Sequence, residues 1–259
     1  MTHLKLTLAY DGAAFVGWQR QSEGESIQQL LEDALARLDK QPVTVHGAGR
    51  TDAGVHALAQ VASVTLARDI DPDTVRRALN AHLPPAVRVR TVEVVEARFH
   101  ARFSTTSKRY RYRIWNSEVL DPFERGRCWH VPAPHLDIDA MQAAAGALVG
   151  THDFSSFQGA GATTVTAVRT VFESRVTRAW PDGRVTADAP LVTYEVRGTG
   201  FLRHMVRSIA GTLVDVGRRR WPPAHIADIL AAQSRPAAGE TAPAAGLFLV
   251  SVSYDGGDL

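Results

Sequence analysis

The residue whose type and setting could do chemistry most directly is Asp52, which lies in a short turn, residues 49–54, between two expected strands. A carboxylate on such a turn is open to a substrate, while the strands on either side hold it in place. Gly49 and Gly54 bracket the acid and leave room for a bulky ligand to approach. An ionised carboxylate can act as a nucleophile or as a general base. The same residues also fit a structural turn whose aspartate hydrogen-bonds its own backbone.

Basic side chains are the second chemical feature. Residues 98–115 carry arginine and lysine interleaved with aromatic residues and contain no acid. In an extended strand, Tyr110 and Tyr112 share one face, and Arg109 and Arg111 share the other. This mixture is typical of an RNA-binding surface, although clusters of charge also occur on ordinary solvated faces. Because the net charge is only +2, local clusters rather than a global field must attract an anionic partner. A second basic set comprises Arg197, Arg203, Arg207 and residues 218–220.

Other kinds of site have weaker support. His46, Asp52 and His56 are close in sequence, but their spacing matches no standard metal motif, so a metal-dependent hydrolase is a disfavoured alternative. The phosphate-loop pattern is also absent. Cys128 is the only cysteine, so no internal disulfide can form, and we expect no nucleophilic role for it. No apolar run approaches the roughly 18 residues that cross a bilayer, so we expect a soluble cytoplasmic protein without membrane contacts.

The pattern of apolar residues predicts the elements that must position these side chains. Strands alternate apolar and polar residues, and helices repeat apolar residues every three to four positions. Ser26 and Gln29 form a capping-box pattern at the start of one helix. Strands and helices in this order predict an α+β fold, with a mostly antiparallel central sheet and helices packed on it. The predicted strands are 4–10, 43–48, 58–66, 87–95, 109–115, 165–177, 191–197 and 247–254, and the helices are 27–38, 72–83, 138–149, 201–216 and 224–232.

Several segments together resemble one family. The octapeptide Gly-Arg-Thr-Asp-Ala-Gly-Val-His at 49–56 is similar to the catalytic signature of the tRNA pseudouridine synthase A family. Agreement of many segments in the same order makes a chance match improbable. The other matching segments are residues 9–12, 15–21, 108–112, 152–157, 201–207 and 242–247, so the resemblance spans the chain.

The resemblance implies a fold, an activity and partners. The expected fold is the pseudouridine synthase fold, built from two related α+β halves. Residues 1–104 would form the half that carries the Asp52 turn, and residues 105–259 the other half, with its sheet continuous with the first. The expected activity is isomerisation of uridine to pseudouridine at positions 38 to 40 of the tRNA anticodon stem-loop. No cofactor or metal is expected, and the protein would act as a homodimer.

The resemblance also implies roles for individual residues. Asp52 would be the catalytic carboxylate, and Arg207 would be the cation that keeps it charged where water is excluded. Tyr110 would stack on the extruded uracil, and Arg50 would displace the base or hold a phosphate. The resemblance and the basic clusters together make Arg109, Arg111 and Arg203 candidate RNA contacts.

Several alternatives stay open. Arg203 and Arg207, four residues apart on one predicted helix, could form only a solvated stripe. Both tyrosines could be core residues, and for Tyr112 we expect the core. Residues 158–164 form a loop that could close over a substrate. A non-catalytic RNA-binding module would explain the basic stretch, but it gives the Asp52 turn no role.

Overall fold

The chain divides into two units, and each contains both strands and helices. The first unit contains Met1–Thr106 together with the segment that starts at Phe248, and the second contains Ser107–Leu247. Both units mix helices with mainly antiparallel strands. The predicted α+β class with a mostly antiparallel sheet is therefore confirmed.

The computed structural model describes residues 1–161 and 165–254, so part of the predicted loop 158–164 lies outside the described residues. Within the described part, no helix is both long enough and apolar enough to span a membrane. The strands are β1 (Thr2–Tyr10), β2 (Val45–Gly47), β3 (His56–Leu66), β4 (Val87–Val94), β5 (Thr105–Trp115), β6 (Trp129–His130), β7 (Gly150–Asp153), β8 (Val168–Ala179), β9 (Leu191–Gly198) and β10 (Leu247–Tyr254). The helices are α1 (Ile27–Asp39), α2 (Pro72–His82), α3 (Ile138–Gly146), α4 (Met205–Gly217) and α5 (His225–Ala232).

The strands of the first unit are centred on β1 and β3. β1 pairs antiparallel with both β3 and β4, and β2 pairs antiparallel with β3. β10 joins the other side of β3 in the parallel direction, with Phe248 opposite His56. Leu4, Leu6 and Leu8 of β1 are fully buried, as their alternating spacing predicts. This strand order places both ends of the turn that carries the candidate acid on one sheet.

The two helices of the first unit begin where their capping residues predict. The Ser26 hydroxyl accepts a hydrogen bond from the Gln29 amide at 3.3 Å, so α1 starts at Ile27. Asp71 accepts from the Thr74 amide at 2.9 Å, and Pro72 occupies the first helical position of α2. Both patterns satisfy amides that a helix start leaves without intrahelical partners.

In the second unit, β9 lies between β5 and β8, and β7 pairs with β8, all antiparallel. β6 adds a short parallel pairing with β5. α3 packs against β8 and α4. The fully buried rings of Tyr112, Tyr194, Phe154 and Phe157 fill the core of this unit.

One predicted helix starts later than its apolar stripe suggests. The sequence predicts a helix from residue 201, but α4 begins at Met205, because His204 has left-handed backbone geometry with φ of 61°. Leu202 is still buried, although it lies in the turn before the helix. Arg203 therefore does not share a helical face with Arg207, so the alternative in which both form a stripe on one helix is wrong.

A second predicted helix ends earlier than expected. α3 stops at Gly146 rather than near residue 149. The next amides bond to carbonyls three residues back, as in Leu148 N to Ala145 O at 3.1 Å and Val149 N to Gly146 O at 3.2 Å. Such tight turns are common where an α-helix ends, and an apolar pattern does not distinguish them from the helix itself.

Candidate active site

The turn that carries Asp52 is held by the loop that follows β1. The amide of Trp18 donates to the carbonyl of Thr51 at 3.0 Å, and the amide of Gly54 donates to the carbonyl of Phe15 at 3.4 Å. Within the turn, the Val55 amide donates to the Asp52 carbonyl at 3.1 Å. Asp52 itself is half-buried. The carboxylate therefore projects from a backbone that is fixed on both sides.

Two glycines allow this close approach of the loop to the turn. Gly17 has φ of 108°, and a β-carbon there would lie 2.5 Å from the Thr51 carbonyl oxygen and 3.0 Å from the carbonyl carbon of Asp52. A β-carbon at Gly12 would collide with the carbonyl of Val55. Only glycine fits where two backbones meet this closely. This contact gives a physical reason for glycine in the matching segments 9–12 and 15–21.

A buried polar network supports the turn from inside the first unit. The Tyr10 hydroxyl lies 2.8 Å from the Thr51 hydroxyl. The Gln60 side-chain amide donates to the Gly49 carbonyl at 2.9 Å and to the Tyr10 hydroxyl at 3.4 Å. Burial raises the pKa of Tyr10 to about 12, against the lowering effect of its bonds to Thr51 and Gln60, so the phenol stays protonated.

Sequence reasoning missed this network. Gln60 is a polar residue at a fully buried position of β3. A buried polar side chain needs a hydrogen-bond partner, so a polar residue within this apolar strand was the available signal of the network. Its partners are too distant in sequence for the alternation of β3 to reveal them.

Arg50 is exposed, and its guanidinium donates to the Gln19 side-chain oxygen at 3.1 Å. Arg50 is two residues from Asp52 in the sequence, and this bond ties its side chain to the segment 15–21. Arg50 is the predicted site residue that lies in the same unit as Asp52.

The two histidines of the metal-site alternative have separate surroundings. His56 is buried and stacks on Phe248 at 4.6 Å between ring centroids, and its Nδ1 lies 3.1 Å from the Gly12 amide nitrogen. The same Nδ1 lies 3.1 Å from a carboxylate oxygen of Asp11. His46 lies instead against His100, at 4.9 Å. In residues 1–161 and 165–254, no group of three or more His, Cys, Asp or Glu residues is arranged to hold a metal ion.

The predicted alternation of β5 is confirmed. Tyr110, Tyr112 and Ile114 are buried, whereas Arg109 and Arg111 are half-exposed on the other face. Tyr112 is a core residue, as expected.

Tyr110 is 7% exposed, and its ring meets Phe201 edge-on at 5.1 Å. Tyr110 and Phe201 come from the matching segments 108–112 and 201–207, so these two segments meet through their rings.

Arg207 lies in the first turn of α4 and is tied to the closing matching segment. Its Nε donates to the Ala242 carbonyl at 2.8 Å, and the Ala242 amide donates back to the Arg207 carbonyl at 3.2 Å. The Tyr112 hydroxyl donates to the Pro243 carbonyl at 2.7 Å. Burial raises the pKa of Tyr112, and the charge of Arg207 only partly opposes this rise. Residues 242–247 therefore connect α4 to β5 and fix one edge of the Arg207 guanidinium.

The candidate RNA contacts on β5 have carboxylate partners on β8 and β9. Arg109 lies 2.8 Å from Glu173, and Arg111 lies 2.7 Å from Glu195. Partial burial acts to raise the pKa of Glu173, but Arg197 and Arg109 hold it below its usual range, so this acid stays charged. The stretch without acids in the sequence is thus partly neutralised in the fold.

Arg203 is exposed, and its guanidinium donates to the Ala160 carbonyl at 2.9 Å. Its own carbonyl accepts from the Gly159 amide at 2.8 Å. The structure therefore holds this arginine to the loop after the matching segment 152–157.

Comparison with known proteins decides the family. The model of a family described as tRNA pseudouridine synthase matches residues 7–104 and 144–255. The chain is 49% identical to a tRNA pseudouridine synthase A from Rhodospirillum centenum, over 98% of this chain and all of that protein. It is 46% identical to one from Myxococcus xanthus and 43% identical to one from Methylacidiphilum infernorum, over at least 96% of this chain and 94% of each relative. The chain belongs to the tRNA pseudouridine synthase family.

In this pseudouridine synthase, the candidate site residues divide between the two units. Asp52 and Arg50 belong to the first unit, and Tyr110 and Arg207 belong to the second. In each unit the matching segments lie against one another, around the Asp52 turn in the first and around Tyr112 and Arg207 in the second.

Cys128 is not suited to nucleophilic chemistry in this synthase. It is buried, and its thiol donates to the Glu124 carbonyl at 3.4 Å. Burial, and secondarily the charge of Glu124, raises the pKa of the thiol to about 11. The reactive thiolate is therefore scarce at neutral pH.

Proposed function

We propose that this chain converts uridine to pseudouridine at positions 38 to 40 of the tRNA anticodon stem-loop, with Asp52 as the catalytic carboxylate. The observation that carries the proposal is the Asp52 turn itself. In a chain of this family, an acid projects from a turn whose backbone is hydrogen-bonded to Phe15 and Trp18 and closely approached by Gly17. A structural turn needs no such external support, whereas a catalytic group must be aimed.

The reaction exchanges one bond to the sugar for another. The bond between uracil N1 and ribose C1′ breaks, the base turns over, and a bond forms between C5 and C1′. The hydrogen on C5 is then lost as a proton, and N1 gains a proton, so the product is an isomer of the substrate. An Asp52 carboxylate can start this exchange by adding to the base or sugar, or by removing a proton. Each of these steps requires the ionised form.

Arg207 supplies the positive charge that an ionised carboxylate needs in a site that excludes water. Its guanidinium is anchored at Nε by the Ala242 carbonyl, which limits the directions in which the charge can point. A pre-oriented guanidinium loses less side-chain entropy on meeting a carboxylate than a mobile one does.

Tyr110 offsets the cost of extruding the uridine. Taking a base out of a stacked stem costs a few kcal/mol, and stacking on an aromatic ring returns about 1 to 3 kcal/mol. The edge-on contact with Phe201 fixes the plane of the Tyr110 ring before the base arrives. This preorganisation supports Tyr110 as the stacking residue.

Arg50, Arg109, Arg111 and Arg203 are the proposed contacts to tRNA. For Arg109 and Arg111, a phosphate would have to compete with Glu173 and Glu195, so we expect each to contribute less than an unpaired arginine. We also propose that the protein is a cytoplasmic homodimer. Sedimentation of the purified chain at micromolar concentration should give twice the chain mass of 28.1 kDa, and a monomer would contradict the dimer.

The experiment that tests the proposed reaction is position mapping of pseudouridine. The purified protein is incubated with an unmodified tRNA transcript, with chelator and without nucleotide, and pseudouridine is located by carbodiimide labelling and primer extension. A matched transcript with cytidine at positions 38 to 40 is the control. We expect modification only in the first transcript. Loss of activity in chelator would favour a metal-dependent hydrolase, and tRNA binding without modification would favour a non-catalytic binding module.

A further inference from the structure

Three aromatic side chains of the first unit form a short row that the proposed reaction does not use. His46 and His100 lie with ring centroids 4.9 Å apart, and His100 and Phe103 lie 4.4 Å apart. Successive planes are tilted by 33° and 35°. We call these three residues the aromatic row. Both of its ends are open to solvent, since His46 is exposed and Phe103 is 76% exposed.

The turn that displays the row is rigid. His100 Nδ1 accepts from the amides of Arg102 at 3.1 Å and Phe103 at 3.4 Å, and the His100 amide donates to the Ser104 hydroxyl at 3.1 Å. The Ala101 carbonyl accepts from the Tyr254 hydroxyl at 2.7 Å. An exposed phenyl ring held on a turn with this many side-chain bonds is positioned rather than left over from the core.

His100 acts as an uncharged aromatic ring in this row. Burial, and to a smaller degree electrostatic interaction with His46 and Arg102, lowers the pKa of His100 below its usual value. A neutral imidazole agrees with a Nδ1 that accepts two hydrogen bonds, because a protonated ring has no acceptor.

A cation lies beside the Phe103 end of the row. The Arg102 guanidinium lies 5.5 Å from the centroid of the Phe103 ring, and its side chain is exposed. Nearby Arg98 is bound to Glu96 at 2.6 Å, but in the described part of the chain Arg102 has no carboxylate within salt-bridge distance. Arg102 is thus available to a negatively charged ligand at the edge of an aromatic face.

A cavity of about 320 Å³ opens beside the His46 end of the row. This volume lies at the lower end of the range for small-ligand sites, roughly 300 to 1,000 Å³. Its walls combine aromatic rings with hydroxyl and imidazole groups that can bond the edge of a base. They include His3, His46, Ser63, Thr65, Phe99 and His100.

We infer that the aromatic row, Arg102 and the adjoining cavity form a second nucleotide-binding site, which holds unpaired nucleotides of the tRNA apart from the uridine that reacts. Exposed rings next to a guanidinium and hydroxyl groups are what single-stranded RNA binds, because each base has a face for stacking and each nucleotide has a phosphate. A second protein copy would need a more extensive apolar surface than one phenyl ring. This inference rests on the proposed function for the identity of the RNA.

The test compares two exposed phenylalanines in the full chain. Phe103→Ala removes the end of the row, and Phe123→Ala removes a ring that is 86% exposed in the second unit and serves as the matched control. Phe103→Tyr keeps a ring at the tested position. Affinity for a tRNA transcript is measured at fixed salt, pseudouridine formation is measured at saturating tRNA, and sedimentation of each RNA-free variant gives its oligomeric state.

We expect Phe103→Ala to weaken tRNA binding roughly 5-fold to 150-fold, as the loss of one stacked base predicts. Phe103→Tyr and Phe123→Ala should bind like the wild type, and kcat at saturating tRNA should be unchanged in all three variants. Arg102→Gln should reduce the slope of log affinity against log salt by about 0.7, as the loss of one single-strand phosphate contact predicts.

Two results would overturn the inference. One is that Phe103→Ala and Phe123→Ala bind tRNA with equal affinity while the wild type forms pseudouridine. The other is a change in the sedimentation of Phe103→Ala without RNA, which would assign the surface to a second copy of the chain. If instead the wild type forms no pseudouridine but Phe103→Ala still weakens tRNA binding, the proposed reaction fails and the second site stands.

Discussion

Gly17 provides a direct way to move the Asp52 turn without touching the acid. A β-carbon at Gly17 would lie 2.5 Å from the Thr51 carbonyl oxygen, and ordinary contacts begin at 3.4 Å, so Gly17→Ala must separate the two backbones by about 0.9 Å. The substitution also strains a residue with φ of 108°, at a cost of about 1 to 3 kcal/mol. A catalytic group displaced by roughly 1 Å typically loses about 100-fold in rate.

Gly183→Ala separates these two effects. Gly183 has a similar positive φ of 90°, but a β-carbon there would have no atom within 4 Å. Both variants should lose about 1 to 3 kcal/mol of unfolding free energy from backbone strain, and Gly17→Ala should lose more because of the contact. Only Gly17→Ala should show a drop of about 100-fold in kcat/KM.

The assay combines urea denaturation with initial rates of pseudouridine formation on a tRNA transcript. Rates are measured well below the denaturation midpoint of each variant, so that lost activity is not lost folding. If Gly17→Ala and Gly183→Ala have equal kcat/KM, the loop at residues 12–18 does not aim Asp52. Such a result would refute a positioning role for this loop.

Three further outcomes follow from the described contacts. Tyr10→Phe removes the hydroxyl that bonds the buried Thr51 side chain, and it removes one of the bonds of the Gln60 side-chain amide. Unfolding free energy should therefore fall by about 1 to 3 kcal/mol, and kcat should fall more than KM changes, as measured by urea denaturation and steady-state kinetics. Cys128→Ala should have the same kcat/KM as the wild type. Because the pKa of the folded thiol is about 11, the wild-type thiol should react with a disulfide reagent at pH 8 far faster in urea than when folded. Rapid reaction of the folded protein would contradict the burial of Cys128. Burial, and to a smaller degree His46 and Arg102, holds the pKa of His100 below 6.5 in the folded state. The neutral ring therefore favours folding fully above pH 6.5, and this contribution is lost as pH falls through the folded pKa. The free energy of unfolding should fall more between pH 7.5 and 5 in the wild type than in His100→Asn.

Local sequence signals predicted the elements whose positions depend on neighbouring residues. β1 follows from alternating apolar residues, and the start of α1 follows from the Ser26 cap, because both are determined within a few positions of the chain. The exact range of β10, Leu247–Tyr254, was also predicted. The start of α4 was not, since the left-handed geometry of His204 belongs to a tight turn held by distant atoms and not to the apolar stripe.

The site could be predicted only in part for the same reason. Asp52 and the glycines of its turn are adjacent in sequence and form a recognisable motif. The support from Tyr10 and Gln60 depends on contacts 41 and 50 residues apart, and neither an alternation pattern nor a cap encodes such distances. The partners of Arg109 and Arg111 lie on β8 and β9, so the neutralisation of this basic strand becomes visible only when the strands pair.

The proposed isomerisation depends on the Asp52 carboxylate, and tritium release tests this dependence most directly. Forming the new bond at uracil C5 expels the hydrogen there, so a tRNA labelled with tritium at that carbon releases label to water only if the isomerisation proceeds. We predict release by the wild type and none above background by Asp52→Asn, which keeps the size of the side chain and should unfold at a similar urea concentration. Release by the folded Asp52→Asn variant at a rate comparable to the wild type would contradict the central claim.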